Sequence, residues 1–284
     1  MQFGSIPTRA PLVPAWVTGL WQRASIALPD GSLDRATRVL WGQTRSLYVD
    51  IRIPMSRPQH SSGANFSQFS LDELRELAKQ KGFAGHLVFD GTLFRWERYI
   101  DYRPPTGRPD EGRLRVEGDT LYEEGDPDSV LGVPYKEVYH RIRPGTSVLA
   151  ALRSAPSRPG ESPAEDAVIV IIDDQFLYAR GRAKSLSKAQ SLEELVRTAG
   201  DDRPLIEDYL NCEISYGSIS DDLSWRIELS TLPFREGCLL MPEGSRWRRL
   251  GELSLKLDRP GVSRIWHVAE SNLSTEDLAR LLNR

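Results

Sequence analysis

Three short stretches concentrate the side chains that could do chemistry. In residues 46–53, Tyr48, Asp50 and Arg52 alternate with Leu47, Val49, Ile51 and Ile53. A strand sends successive side chains to opposite faces, so the polar three share one face. Inside a barrel, Asp50 and Arg52 would orient a polar ligand group, with Tyr48 stacked on it. On a solvent face they would make an ion pair of little weight. Gln43 and Thr44, polar within a predicted strand, favour the interior. In residues 94–102, Phe94, Trp96, Arg98, Ile100 and Tyr102 alternate with Arg95, Glu97, Tyr99 and Asp101. Trp96 reads first as core. Arg98 on the same face needs a carboxylate or a ligand, because a lone buried guanidinium is expensive. Asp50 or Glu137 is the expected partner, so Arg98 is either a structural tie or a ligand anchor. The third stretch sets Tyr135, Glu137, Tyr139 and Arg141 on one strand face. Such a stripe suits a cavity for an aromatic or carboxylated molecule. It equally suits an edge strand whose long side chains cover apolar surface.

Histidines add a further option. His86 and His140 fall on predicted strands, and a pair in one barrel could move protons or bind a metal or haem iron. Most isolated strand histidines do neither. His267 has a weaker case, and His60 falls in a polar loop. The proton-transfer candidates are therefore His86, Asp50 and Glu137. The ligand-contact candidates are Gln43, Arg52, Trp96, Arg98, Tyr139 and Arg141. No zinc-type Cys/His spacing occurs, and no metal or cofactor is expected. Phosphate-cradling glycine loops and nucleophile elbows are missing as well. Asp173-Asp174, Asp201-Asp202 and Asp221-Asp222 read as turn residues.

The elements that must carry these groups are short strands broken by Gly, Pro and Asp. Residues 83–102 form the strongest hairpin signal, with Asp90-Gly91 as a two-residue turn. Three helices are predicted: 71–80 with Ser70 and Glu73 as a capping box, 192–199 behind Ser191, and 274–284. The chain also echoes itself. Strand phrases at 47–52 and 177–182, helical phrases at 70–74 and 191–195, and Trp-to-Pro strands at 96–104 and 225–233 recur in one order. That order implies two copies of one β-rich unit. Residues 144–166, rich in Pro, Ser, Gly and Glu, read as the linker. The expected organisation is a first barrel over 1–143, the linker, and a second barrel with a C-terminal helix over 167–284.

Composition narrows the function. The 284 residues are 39% hydrophobic and 27% charged, as in an ordinary globular protein. A net charge of −3 argues against a nucleic-acid surface. The longest apolar run, 167–172, is far short of the roughly 20 residues of a membrane helix. Residues 1–21 match neither a secretory signal nor a mitochondrial presequence, so the cytoplasm is the expected location. Cys212 and Cys238 read as reduced core residues.

Residues 21–26, Asp30-Gly31, Asp34 and the block 39–54 together resemble the Hri family of lipocalin-like double barrels from fungi and bacteria. The Gly82-Phe83-Ala84-Gly85 turn and the strand 96–105 are similar to it too. The likeness covers about residues 16–142 well and the second half in outline. It implies two lipocalin-like barrels side by side and brings no reaction with it. The expected fold is all-β, with two lipocalin-like antiparallel barrels and a few short helices. The leading function is a small-molecule-binding protein with its cavity in the N-terminal barrel, taking a small hydrophobic or aromatic ligand and neither nucleic acid nor membrane. The first alternative is an isomerase or cyclase of a specialised metabolite, acting by acid–base catalysis. The second is a protein-interaction module with filled barrels. The sequence leaves a homodimer open.

Overall fold

A computed structural model describes residues 12–59, 65–128, 131–155, 166–259 and 262–283; His60 lies outside them. The first sheet comprises β1 (Gly19–Ala27), β2 (Leu33–Asp34), β3 (Arg38–Gln43), β4 (Tyr48–Ile53), β5 (Lys81–Phe89), β6 (Phe94–Asp101), β7 (Glu111–Glu117), β8 (Thr120–Gly125) and β9 (Tyr135–Arg143). Neighbours pair antiparallel in the order β2-β1-β3-β4-β5-β6-β7-β8-β9, and β1 also pairs with β9. That last ladder closes an eight-stranded barrel, with β2 left as a flap on β1. Closure removes the unpaired edges of an open sheet. The seam between β6 and β7 is thin, with Phe94 opposite Gly112 and Arg95 opposite Glu111.

The second sheet comprises β10 (Leu149–Ser154), β11 (Ala167–Ile172), β12 (Gln175–Arg180), β13 (Glu213–Ile219), β14 (Trp225–Ser230), β15 (Arg246–Arg249), β16 (Ser254–Arg259) and β17 (Val262–Ser271). Its order, β14-β13-β12-β11-β10-β17-β16-β15, repeats the first barrel from β1 onward with β10 in the place of β1. The pairing of β10 with β17 repeats that of β1 with β9. Among the described residues, β14 and β15 form no ladder. The second sheet thus stays open at the seam that is thinnest in the first. The edge of β14 is instead bonded to the following segment, Ile227 N–H to the Cys238 carbonyl and Leu240 N–H to the Trp225 carbonyl. Beside β15, α4 (Thr275–Leu282) holds Trp247 N–H through Asn283. Within the stretch read as a linker, Leu149–Ser154 is β10 itself, buried because it joins the two halves of this sheet.

The helices follow their sequence signals. In α1 (Leu71–Leu77), Ser70 and Glu73 form the capping box. Ser191 caps α2 (Leu192–Thr198), and Ser274 caps α4. An unpredicted helix, α3 (Arg203–Leu210), starts where Asp202, read as a turn residue, accepts from Leu205 N–H as N-cap. Asp90-Gly91 does make a turn, but across four residues: Asp90 N–H bonds the Leu93 carbonyl, and the Asp90 carboxylate takes the Thr92 and Leu93 N–H groups.

Both faces of β4 are buried, which explains its alternation. Val49, Ile51 and Ile53 point out of the barrel into a core shared with Val168, Val170 and Ile172 of β11, Leu177 of β12 and the helices α1–α3. Tyr48 points inward with Trp21, Trp41, Phe83, Trp96 and Tyr139. The sheets approach so closely that a Cβ on Gly42 would lie 2.4 Å from Leu177 Cδ1. The interior of the second unit packs Phe176, Trp225, Trp247, Trp266, Leu278 and Leu282 into one apolar cluster.

Candidate functional site

The two ends of the first barrel differ. At one end the 3-10 turn Ala15–Val17 packs Val13 and Val17 against Trp21 and Trp41, and Trp21 Nε1 donates to the Val17 carbonyl. This end is plugged. At the other end lies a cavity of about 380 Å³, lined by residues that include Arg52, Lys81, Phe83, Trp96, Arg98 and Arg103. Its mouth carries Ile26, Leu28, Leu131 and Val133. That volume falls within the range of small-molecule sites.

The inner wall is a network of charges. Arg52 binds Asp50 with two nitrogens, at 2.8 Å to Oδ1 and 3.2 Å to Oδ2. It also donates to Glu137 at 3.0 Å and to the Tyr139 hydroxyl at 3.3 Å. Arg23 bridges Glu137 at 2.7 Å and Asp34 at 2.8 Å. Glu137 accepts from the Tyr139 hydroxyl on its other oxygen, so both of its oxygens are occupied. Desolvation raises the Asp50 carboxyl above its usual range, although Arg52 pulls the other way.

Glu123, opposite Glu137 across β8 and β9, faces the same cavity. It accepts from the Tyr135 hydroxyl at 2.7 Å. Burial, and then the Glu137 charge, push its carboxyl well above the ordinary range.

Arg98 finds neither of its expected partners. It pairs with Asp101 at 2.5 Å and with Asp110. The cause is a β-bulge. Gly85 pairs with Arg98 while Ala84 pairs with Ile100, leaving Tyr99 as the extra residue. The insertion inverts the alternation, so Asp101 rather than Ile100 joins Arg98 inside. Ile100 and Tyr102 turn outward into the shared core. A Cβ on Gly85 would lie 1.8 Å from the Glu97 carbonyl oxygen, so the bulge requires glycine there. The Arg98 guanidinium lies over the Phe83 ring at 3.7 Å and that of Arg52 at 5.3 Å, so one ring meets two cations.

Of the residues singled out in the sequence, the structure brings Asp50, Arg52, Trp96, Arg98, Glu137 and Tyr139 to one end of the barrel. It does not bring Gln43, Arg141 or His86 there. Gln43 and Arg141 lie at the plugged end: Trp41 Nε1 donates to Gln43, and Arg141 spans the Trp21 ring and the Trp16 carbonyl. Alternation fixes the face of a strand but not the distance along it. His86 is on the outer face, its Nδ1 donating to the Ser46 carbonyl at 2.6 Å and its ring edge-on to Tyr99. His140 is exposed, 3.5 Å from the Thr120 hydroxyl, so no histidine pair forms inside the barrel.

The sequence reading missed Arg23, Phe83, Lys81, Arg103 and Glu123. Glu123 stands two residues from Leu121 and so shares its strand face, a legible sign that it points inward. Lys81 and Arg103 carried no such signal, since they stand just at or beyond strand ends.

No family model matches the sequence, and no curated protein does. Among solved structures, the crystal structure of the uncharacterised protein YLR301w from Saccharomyces cerevisiae is similar. It covers 89% of this chain and 98% of its own, with a TM-score of 0.54 and 13% identity. At that identity the likeness is one of fold.

Proposed function

We propose that the chain is a lipocalin-like small-molecule-binding protein whose ligand occupies the open end of the first barrel. The carrying observation is the cavity of about 380 Å³, walled by aromatic rings and an internal charge network and open to solvent past apolar residues. A barrel built only for stability would fill that space with side chains. Membership of the Hri family belongs to the same reading, supported by the resemblance over residues 16–142 and by a barrel fold shared with a yeast protein. Residence in the cytoplasm belongs to it too; among the described residues no helix is long and apolar enough to cross a membrane.

One observation favours the isomerase or cyclase reading. Glu123 faces the cavity, and burial raises its carboxyl well above the ordinary range, which suits a general acid. Glu137 is occupied by two arginines and a tyrosine, and His86 lies outside, so Glu123 would take the proton-transfer role.

Native mass spectrometry of the purified protein, set against its denatured mass, tests the binding reading. The expected result is an adduct that is lost on denaturation and absent from Val133→Trp, whose indole blocks the mouth. A bare-chain mass, together with no saturable binding of apolar dyes, would overturn it.

A further inference from the structure

The cavity is not electrically satisfied. Arg23, Arg52 and Arg98 each meet two carboxylates, and Lys79 at the rim pairs with Glu76. Lys81 is left over, and Arg103 has only a long ion pair with Asp101, a carboxylate it shares with Arg98. In that pair Asp101 Oδ1 stands 3.8 Å from the Arg103 Nε, beyond hydrogen-bond length. That Nε has no hydrogen-bond partner, although the side chain is only 15% exposed. Lys81 makes no ion pair among the described residues.

Strand register makes this arrangement costly. Arg52 is directly opposite Lys81 across β4 and β5. Phe83 is opposite Asp101, and the Tyr102 N–H bonds the Gly82 carbonyl, which continues the register to set Arg103 opposite Lys81. Three cations therefore stand in a row across three adjacent backbones on one face. Like charges directly opposite in a sheet repel. Burial and then Arg98 lower the Arg103 guanidinium below its usual range. Although Lys81 reaches solvent, desolvation and then Arg103 and Arg52 lower its ammonium. A bound anion would relieve this repulsion and supply the missing acceptor.

We infer that the cavity takes an anionic aromatic molecule, with its carboxylate or sulfonate held by Arg103 and Lys81 and its ring against Phe83 and Trp96. The inference rests on the binding function proposed above and adds the charge and shape of the ligand. Apolar side chains at the mouth favour a ring system over a bare inorganic oxyanion.

Two dyes of one scaffold separate the two claims: anilinonaphthalene sulfonate, which is anionic, and N-phenylnaphthylamine, which is neutral. The sulfonate is expected to bind the intact chain one-to-one, at least about tenfold tighter than the amine. Arg103→Gln and Lys81→Gln should each weaken the sulfonate by about tenfold and leave the amine unchanged, with thermal melts confirming that both variants fold. Val133→Trp should abolish both. Equal binding of the two dyes, or sulfonate binding untouched by both substitutions, would overturn the anion inference while leaving the cavity reading standing. Binding of neither dye would overturn both.

Discussion

Glu123 and Glu137 stand directly opposite each other across β8 and β9, both inside the first barrel, yet they have unequal partners. Glu137 takes Arg23 and Arg52, while Glu123 accepts from the Tyr135 hydroxyl. Burial and the neighbouring Glu137 charge raise the carboxyl of Glu123, which has no arginine of its own among the described residues, well above the ordinary range. That difference makes Glu123 a pH-sensitive member of the site.

Glu123→Gln should therefore change the pH dependence of stability. The folded carboxyl is raised well above its unfolded value of about 4.3, so the native state holds the extra proton. Its stabilising effect is complete below about pH 4.3 and is lost progressively as pH rises through the raised folded value. The neutral amide has no such loss. Urea denaturation at pH 5 and pH 8 should show the variant gaining on the parent as pH rises; a constant difference would mean that Glu123 titrates normally.

Gly85→Ala should destabilise the fold by more than about 2 kcal/mol, because the new methyl collides with the backbone at the bulge. Gly251→Ala, where nothing lies within 4 Å, should stay within about 0.5 kcal/mol of the parent. If both glycines tolerate alanine equally in chemical denaturation, the bulge does not depend on the missing side chain.

Arg52→Met strands Asp50, which is 2% exposed and has Arg52 as its ion-pair partner. Removing one member of a buried pair costs roughly 3–5 kcal/mol. In a double-mutant cycle, Asp50→Asn added to Arg52→Met should recover part of that loss. Additive effects would show that the pair is not coupled.

Gly42→Val should separate the sheets, since even a Cβ would meet the Leu177 side chain. The apolar surface of β4 then loses its cover of β11 and β12. Because one shared core spans both units, the parent should unfold in a single calorimetric transition, and the variant at a temperature lower by several degrees. Two separate transitions in the parent would mean that each unit is stable without the other.

Much of the fold was legible because its signals are local. The alternation in β4 announced a strand with two different faces, the capping box at Ser70 announced α1, and the recurring phrases announced the repeated strand order. The charged interior was partly legible for the same reason: Asp50 and Arg52 alternate with Val49, Ile51 and Ile53, and Glu137 and Tyr139 share a face on either side of Val138. The open seam between β14 and β15 and the helix behind Asp202 were not, since a turn aspartate and an N-cap aspartate look alike in sequence.

What the sequence by itself determined was which residues share a strand face, because that follows from the two-residue period of each strand. Only the tertiary structure decided which end of the barrel each residue occupies and which cations are short of hydrogen-bonded carboxylates. Those depend on register and on one inserted residue: the bulge at Tyr99 turned Asp101 inward to Arg98, and the Arg52-Lys81-Arg103 row exists only once three backbones lie side by side.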